Sequence, residues 1–227
     1  EMRIIVHLQY AVSSHASATL ADSHFCTSYK QCPWNVGTVR EAERSFMVNT
    51  ILVTGGAASG KSRWAVTRLA PFNDVLFLDT HEKTSSNVME RIRYGNSLYG
   101  VDWEIKTGVT DMPHVFLKNH AYVIFDSLDS YAESNLVAMC PNVLEITDDL
   151  RRKIQKKVVT DIELLHKHAR NIGGCVIITT LETGFSVTPQ DPFQRELRGI
   201  IGSINQRIAN ISDEVYFSAS GIQVKMH

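Results

Sequence analysis

The sequence lacks an excess of charge of either sign. Its 23 lysines and arginines stand against 24 aspartates and glutamates, for a formal net charge of -1. A protein that wraps nucleic acid or lies on an anionic membrane surface normally carries a strong positive field. The near-neutral balance disfavours a partner that is held by overall charge. We therefore expect no nucleic acid among the partners, and we expect specificity to come from a local site.

Long apolar runs and cysteines are also scarce. The longest apolar stretches, such as Val75–Leu78, end after four or five residues, whereas a membrane-spanning helix needs about 20. We therefore expect no membrane span. Residues 2–12 resemble only a poor signal peptide, and that alternative stays open. The cysteines are too widely spaced for a metal knuckle and form no CxxC pair, which favours a reduced, cytoplasmic protein; they are Cys26, Cys32, Cys140 and Cys175.

The remaining composition is that of a globular protein, with 44% hydrophobic and 21% charged residues. These fractions exclude disorder, collagen and coiled coil as the main structure. Residues 1–46 show neither a helical period nor strand alternation, so they predict a poorly defined N-terminal extension. Residues 47–227 are the expected folded domain. Met47 leads into the β-branched run Ile51–Val53 and is a candidate start of that domain and of the natural protein.

The most informative motif occupies residues 55–62 and fits GxxxxGK[ST] in full. It follows a short apolar strand and precedes a helix-like stretch, which is the context of a phosphate-binding loop. Small residues let backbone N–H groups surround a phosphate, while Lys61 reaches the β- and γ-phosphate oxygens. A glycine turn that serves packing alone is the alternative, and the GKS ending disfavours it. The predicted nucleotide-binding residues of the loop are Gly55, Gly56, Ala57, Ala58, Ser59, Gly60, Lys61 and Ser62.

An enzyme with this loop also needs a carboxylate at the end of a neighbouring strand to hold the Mg²⁺ shell. The run Ala121–Phe125 is followed by Asp126, which we predict to be that carboxylate. Lys61 and Asp126 are therefore the candidate catalytic residues, and Ser62 and Asp126 are the candidate Mg²⁺ ligands. The alternative for Asp126 is that its side chain caps the next helix.

Strands and helices alternate along the domain. Strands are predicted at 51–54, 75–79, 121–126 and 175–180, and helices at 60–70, about 86–94 and about 146–170. This order predicts an α/β fold with a mostly parallel sheet and right-handed crossovers. The long helix carries a basic run at 151–157, for which a solvated face is favoured over a nucleic-acid site. Residues 214–226 predict two strands joined at Ser220-Gly221, a C-terminal β-hairpin.

Several separate motifs together resemble one enzyme family. They comprise residues 51–57 and 59–63, Thr80, Arg91-Ile92, Trp103, residues 126–128, 134–136 and 182–184, Pro189, Arg195, Arg198, Gly202, Asn205-Gln206, and residues 213–216 and 220–222. From Thr50 to His227 the chain resembles the bifunctional adenosylcobinamide kinase and adenosylcobinamide-phosphate guanylyltransferase family, which has a RecA-like P-loop NTPase fold. The C-terminal motifs make the resemblance specific, because a P-loop alone is shared with many kinases and ATPases.

The resemblance implies an enzyme that phosphorylates the aminopropanol hydroxyl of adenosylcobinamide with ATP or GTP, and then transfers GMP from GTP onto that phosphate. It implies Mg²⁺, a nucleoside triphosphate, a corrinoid substrate, a homotrimer and a cytoplasmic location. By position, Asp79, Thr80 and His81 would line the nucleotide site, with a solvated loop histidine as the alternative for His81. Arg195 and Arg198 share a helix face and would contact phosphate or substrate; ordinary surface charges are their alternative.

The resemblance further implies a histidine that carries GMP covalently, since an imidazole nitrogen can attack the α-phosphate and later leave. Tyr94 stands at that position, between the matching Arg91 and Trp103. A phenol is almost wholly protonated at pH 7 and is a much weaker nucleophile. We therefore expect guanylyltransfer to be lost or badly impaired, whereas phosphoryl transfer needs less from side chains. Other departures from the family pattern are Ala58, Gly95, Tyr99-Gly100, Ser186 and Gly199.

Two other classes of protein stay open, the first because of these departures and the second because it shares the loop and the parallel sheet. The first is a catalytically degenerate nucleotide-binding module of the same fold, which performs no cobinamide chemistry. The second is a nucleic-acid-dependent ATPase of RecA-like fold, which the near-neutral charge disfavours because such a protein needs a basic surface to grip a strand. No short motif in the sequence selects ATP over GTP.

Overall fold

The computed structural model describes residues 48–112, 117, 120–140 and 146–227. The predicted extension at 1–46 and Met47 lie outside the described residues, so the proposed domain boundary stays a prediction. Within the described ranges the elements are β1 (Thr50–Gly55), α1 (Lys61–Leu69), β2 (Val75–Asp79), α2 (Ser86–Tyr99), β3 (Glu104–Lys106), β4 (Tyr122–Asp126), α3 (Leu128–Met139), α4 (Asp148–Ile172), β5 (Cys175–Leu181), α5 (Pro192–Ile211), β6 (Glu214–Ala219) and β7 (Ile222–Lys225).

The strands of the described residues form a seven-stranded sheet in the order β3-β2-β4-β5-β1-β6-β7. Every neighbouring pair from β3 to β6 is parallel, and β6 and β7 are antiparallel. β1 lies inside the sheet, with β5 on one side and β6 on the other. The arrangement confirms the predicted α/β fold of the P-loop NTPase type with a C-terminal hairpin.

Helices cover both faces of the sheet. Side chains alternate along a strand, so Ile51 and Val53 of β1 pack with α1 and α2, whereas Leu52 packs with α3, α4 and α5. Strands buried on both faces are mostly apolar, as in β2, where every residue is buried and Asp79 at the end is the one charged residue. Hydrophobic side chains fill the layers on both faces of the sheet. Polar side chains lie at the carboxyl ends of the strands, as Asp79 does in β2 and Asp126 in β4.

Helix α2 is longer than predicted, ending at Tyr99 instead of about residue 94. Gly95 is buried in α2 beside Ala70, and packing of this kind offsets the low helix propensity of glycine. The helix ends where Gly100 adopts a left-handed conformation. Tyr94 therefore lies on a helix.

Among the described residues, β3 and α3 were not predicted, and α5 was predicted only around Arg195 and Arg198. β3 is a three-residue strand next to β2 at the edge of the sheet, too short for a period to show. α3 buries Leu128, Tyr131 and Leu136 but also buries Asn135, which weakens its apolar pattern. α5 extends well beyond the helix expected around Arg195 and Arg198, beginning at an Asp191 cap with proline in its first turn.

The basic run of α4 is paired with acidic side chains. Arg151 contacts Asp148 and Glu196, and Lys157 lies 2.8 Å from Asp111 and 2.9 Å from Asp161. These ion pairs fit the favoured interpretation, a solvated helix face. Among the described residues, no helix combines the length and the apolar content that a membrane crossing requires.

Candidate functional site

The loop predicted to bind phosphate lies at the carboxyl end of β1 and leads into α1. Gly55, with φ of 153°, and Gly60, with φ of 99°, adopt backbone conformations that residues with side chains rarely adopt. A Cβ atom on Gly55 would lie 2.3 Å from the carbonyl oxygen of Ser218, and one on Gly60 would lie 3.1 Å from Cα of Gly221. These two glycines therefore permit a tight turn that rests against the C-terminal hairpin.

The hairpin formed by β6 and β7 also supports the loop through hydrogen bonds. The carbonyl oxygen of Ser59 accepts from the backbone N–H of Gly221 at 2.8 Å and from Ser218 Oγ at 2.9 Å. Gln223 Nε2 donates in turn to Ser218 Oγ at 3.0 Å. The loop is consequently held from a segment about 160 residues away in sequence, which no local pattern could predict.

The ammonium group of Lys61 is buried in the loop. Nζ donates to the carbonyl oxygens of Gly55 at 3.1 Å and Gly56 at 2.7 Å. Burial lowers the pKa of Lys61, and the carboxylates of Asp129 and Asp126 oppose that shift. Gly60, the N-cap residue that precedes α1, has no side chain to occupy the N–H groups of the first turn. A buried cation beside these donors can bind a phosphate group.

Asp126 lies at the end of β4 and faces the loop. It accepts hydrogen bonds from Ser62 Oγ at 3.0 Å and from the hydroxyl of Thr179. Burial raises the pKa of Asp126, and these two hydroxyls oppose the shift. The structure thus brings together the two predicted Mg²⁺ ligands, and their oxygens are the donors that Mg²⁺ prefers. The capping alternative for Asp126 is not what the geometry shows, because Ser127 is the residue that precedes α3.

The residues predicted at the tip of the second strand lie beside Asp126. Asp79 pairs in register with Asp126 and accepts from the backbone N–H and Nδ1 of His81, at 2.9 Å and 2.8 Å. His81 Nε2 lies 2.8 Å from Ser130 Oγ. Thr80 donates its backbone N–H to the carbonyl oxygen of Asp126 at 2.9 Å. His81 is therefore held in a polar chain at the edge of the sheet, but its side chain is 55% exposed, so the solvated-loop alternative stays open.

Two clefts open near this edge. The first, which we call the loop cleft, has a volume of about 550 Å³ and lies between residues 58–63 and the α2 side chains Asn87, Glu90, Arg91 and Tyr94. Tyr94 is 55% exposed. The structure therefore places Tyr94 in the same cleft as the phosphate-binding loop.

The second cleft, which we call the α5 cleft, has a volume of about 590 Å³ and lies between α5 and the segment that follows β5. Arg195 and Arg198 both line it. The two arginines do share one helix face, as predicted, but they do not line the loop cleft.

Three residues of the site were missed from the sequence. Thr179 donates to Asp126, and Ser130 contacts His81. The carboxylate of Asp129 raises the pKa of Lys61 and accepts a hydrogen bond from the backbone N–H of Leu181. The sequence contains one signal for Thr179, which is that Thr179 and Thr180 follow four apolar residues in β5. Asp129 and Ser130 lie in the first turn of α3, a helix that was not predicted.

The fold and the loop geometry define an α/β protein of the P-loop NTPase class. The family model of cobinamide kinase / cobinamide phosphate guanyltransferase, CobU, matches residues 51–226. The chain belongs to this family, as the sequence motifs predicted.

Two curated relatives share the description bifunctional adenosylcobalamin biosynthesis protein CobU. The protein from Salmonella typhimurium strain LT2 is 27% identical over 180 residues, and that from Escherichia coli strain K12 is 25% identical over 179 residues. Each alignment covers 78% of this chain and 98% of the relative.

Among solved structures, a unique ATP synthase subunit NeqB from Nanoarcheaum equitans is 12% identical and has a TM-score of 0.48. The match covers 74% of this chain and 45% of that one, so the chain spans less than half of that subunit.

Proposed function

We propose that this protein is an adenosylcobinamide kinase, which transfers the γ-phosphoryl group of ATP or GTP to the hydroxyl of its corrinoid substrate. The observation that carries the proposal is the 3.0 Å contact between Ser62 and Asp126 next to the buried ammonium of Lys61, in a chain of the cobinamide kinase family. Such a reaction would be a step of cobalamin biosynthesis or salvage.

Each residue of the site has a role in this reaction. Lys61 and the backbone N–H groups of residues 55–62 bind the β- and γ-phosphates. Ser62 and Asp126 hold Mg²⁺, which neutralises charge on the transferred phosphoryl group when it is bound. Asp79, Thr80 and His81 line the nucleotide site from the neighbouring strand end. Because phosphoryl transfer depends on positioning and charge neutralisation, these residues suffice without a covalent nucleophile.

The second activity of the family, guanylyltransfer, is impaired in this proposal. Tyr94 occupies the position at which the family resemblance implies a histidine, and its exposed side chain lines the loop cleft. The geometry around it is suitable for contact with a bound nucleotide, since Lys61 and Arg91 line the same cleft. The obstacle is chemical, because a phenol is a weaker nucleophile than an imidazole.

A second candidate function is that of a nucleotide-binding module without cobinamide chemistry. Tyr94 and its neighbour Gly95 favour it, because both depart from the family pattern. The ordered contacts of Lys61, Ser62 and Asp126 favour the kinase instead. A homotrimeric assembly and a cytoplasmic location are proposed only on the family resemblance and the sequence.

The kinase proposal is tested by transfer of label from γ-labelled ATP and γ-labelled GTP to adenosylcobinamide in the presence of Mg²⁺. We expect transfer by the wild type and by Lys153→Met, which removes an exposed lysine of α4. Lys61→Met should lower transfer by at least about a hundredfold, because it removes a cation that stabilises the transition state.

Nucleotide binding is measured on the same samples by equilibrium titration. Binding of ATP or GTP without label transfer would replace the kinase by the nucleotide-binding module. Absence of nucleotide binding by the wild type would contradict both functions.

A further inference from the structure

The α5 cleft is a separate cavity from the loop cleft, and none of the residues that the structure describes lines both. Leu52 of β1 packs in the layer of α3, α4 and α5, whereas Ile51 and Val53 pack with α1. Thr54 lies two residues after Leu52, so its side chain is on the same face of the sheet as Leu52. The α5 cleft therefore opens on the face of the sheet opposite to α1 and the loop cleft.

The charged lining of the α5 cleft has an excess of positive charge. Arg195 and Arg198 line it from α5, and Glu182 is the one acidic residue among its lining residues in the described part of the chain. Glu182 Oε1 already accepts from the backbone N–H of Gly184 at 2.9 Å. The remaining polar lining is uncharged. This combination favours an anionic ligand that also carries hydrogen-bonding groups.

Two polar atoms at this cleft are buried and lack a hydrogen-bond partner among the described residues. Arg198 donates through Nη2 to the carbonyl oxygen of Gly184 at 3.2 Å, but its Nη1 is unpartnered. Thr54 Oγ1 is the second such atom. Buried polar groups in native proteins almost always have a partner, and a buried charged donor is costly without one. Both atoms belong to residues that line one cavity, which favours a ligand that brings acceptor atoms.

Two glycines of α5 leave room in the same cavity. Gly199 and Gly202 both line the α5 cleft, and glycine inside a helix is less favourable than alanine. A Cβ atom on Gly199 would meet nothing within 4 Å, and one on Gly202 would lie 3.9 Å from Thr183 Oγ1. Packing among the described residues therefore does not require either glycine, whereas a ligand lying along this helix face would.

We propose that the α5 cleft binds an organic phosphate monoester, at the same time as the phosphate-binding loop holds a triphosphate. The planar guanidinium groups of Arg195 and Arg198 bind the phosphate oxygens, a geometry for which arginine is well suited. Thr54, Ser203 and Gln206 donate to the organic part. A cavity of about 590 Å³ is of the size that holds such a molecule. The inference rests on the proposed function only in the choice of probes.

The experiment is a calorimetric titration of the full chain, saturated with Mg²⁺ and a non-hydrolysable ATP analogue. The probes are inorganic phosphate, GMP and the phosphate ester of 1-amino-2-propanol. We expect one further equivalent of at least one ester to bind. GMP as the tighter ester would identify a second nucleotide as the ligand, and the aminopropanol ester would identify the phosphorylated product of the kinase step.

Two variants of α5 and two controls locate the binding. Arg198→Met should weaken the affinity for the further equivalent of ester by at least about tenfold. Gly199→Leu should weaken it to a similar extent, because the leucine side chain fills the cleft and also favours the helix. Arg152→Met, which removes an exposed arginine of α4, should change the affinity by less than about twofold. Lys61→Met, titrated without the analogue, should also retain the ester.

Several results would overturn the inference. They are the absence of a further equivalent in the wild type, equal affinity in the wild type and Arg198→Met, and loss of the ester in Lys61→Met. Failure of the proposed function is distinguishable, because the γ-label would then not be transferred to adenosylcobinamide while the α5 cleft still bound the ester.

Discussion

Asp126 is a buried carboxylate that receives hydrogen bonds from two neutral hydroxyls, those of Ser62 and Thr179. Burial raises the pKa of Asp126, which means that the surrounding protein disfavours its charged form more than water does. A residue that costs folding free energy in this way is expected where function requires it. In the proposed reaction, a bound Mg²⁺ would stabilise the charged form of this carboxylate and offset the cost of burying it.

Asp126→Asn should separate activity from stability. The amide oxygen can still accept from Ser62 and Thr179, and the buried charge is gone, so we expect a melting temperature equal to or above that of the wild type. Phosphoryl transfer should fall by at least about a hundredfold. Scanning calorimetry and the γ-label assay measure the two effects. Asp149→Asn, on the exposed start of α4, is the control, and full activity of Asp126→Asn would remove it from the Mg²⁺ site.

Tyr94→His should restore a nucleophile to the loop cleft. The position is exposed, so an imidazole fits there without repacking, and we expect guanylyltransfer from GTP to rise above that of the wild type. Formation of the GMP-linked corrinoid is the measurement. Tyr94→Phe, which keeps the ring and lacks a nucleophile, is the matched control. An equal rate in all three proteins would show that more of the cleft than one residue has changed.

At the scale of single residues, the sequence predicts those contacts that a local motif defines. Lys61 and Ser62 follow from the loop pattern, and Asp126 follows from its place after an apolar strand. Thr179 could not be predicted, because its contact with Asp126 depends on which strands are neighbours. The support of Ser59 by Gly221 depends likewise on the position of β6 next to β1.

The junction of β5 and α5 is held by a buried side-chain pair. Thr180 Oγ1 donates to Asn205 Oδ1 at 2.8 Å, and Asn205 Nδ2 donates to the carbonyl oxygen of Leu181 at 2.9 Å. Both side chains are buried. The pair fixes the end of β5, which carries Thr179, against the helix that lines the α5 cleft.

Asn205→Leu should lower the free energy of unfolding by about 2 to 3 kcal/mol, since it leaves the Thr180 hydroxyl and the Leu181 carbonyl buried without partners. Urea denaturation measures the change. The double variant Thr180→Val/Asn205→Leu should be no less stable than Asn205→Leu alone, because the orphaned hydroxyl is then absent. Additive losses would contradict the pairing.

β5 also contains a buried thiol, that of Cys175. Burial raises the pKa of Cys175 from 9.0 to about 12. Between these two values the unfolded chain loses the thiol proton and the folded protein keeps it, so the stability that this group contributes below pH 9.0 is lost as the pH rises. The slope is about 1.36 kcal/mol for each pH unit.

Cys175→Ala should therefore flatten the alkaline part of the stability profile. Urea denaturation at about pH 8 and about pH 10.5 should show a larger loss of unfolding free energy in the wild type than in the variant. Equal losses in the two proteins would show that the Cys175 thiol does not retain its proton on folding.

Among the elements, prediction succeeded where the period was long and the ends were marked. α4 was predicted to within two residues at each end, with Thr147 capping its start and Gly173 its end. β3 and α3 were missed, the first because three residues show no period and the second because Asn135 and Ser130 interrupt the apolar pattern.

At the scale of the domain, the strand order explains why the sites lie where they do. β1 lies between β5 and β6, so the loop that follows it meets Asp126 from one direction and the hairpin from the other. The two clefts then open on opposite faces of one sheet. Under the proposed binding at the α5 cleft, one domain would hold a triphosphate and a phosphate monoester at the same time.

The central claim is that this protein phosphorylates adenosylcobinamide but has lost efficient guanylyltransfer. The most direct test incubates the purified protein with adenosylcobinamide, Mg²⁺ and GTP, with Lys61→Met alongside, and identifies the corrinoid product by mass spectrometry. We predict the phosphate ester alone from the wild type and unchanged adenosylcobinamide from Lys61→Met. Conversion of most of the corrinoid to the GMP-linked product, or no phosphorylation by the wild type, would contradict the claim.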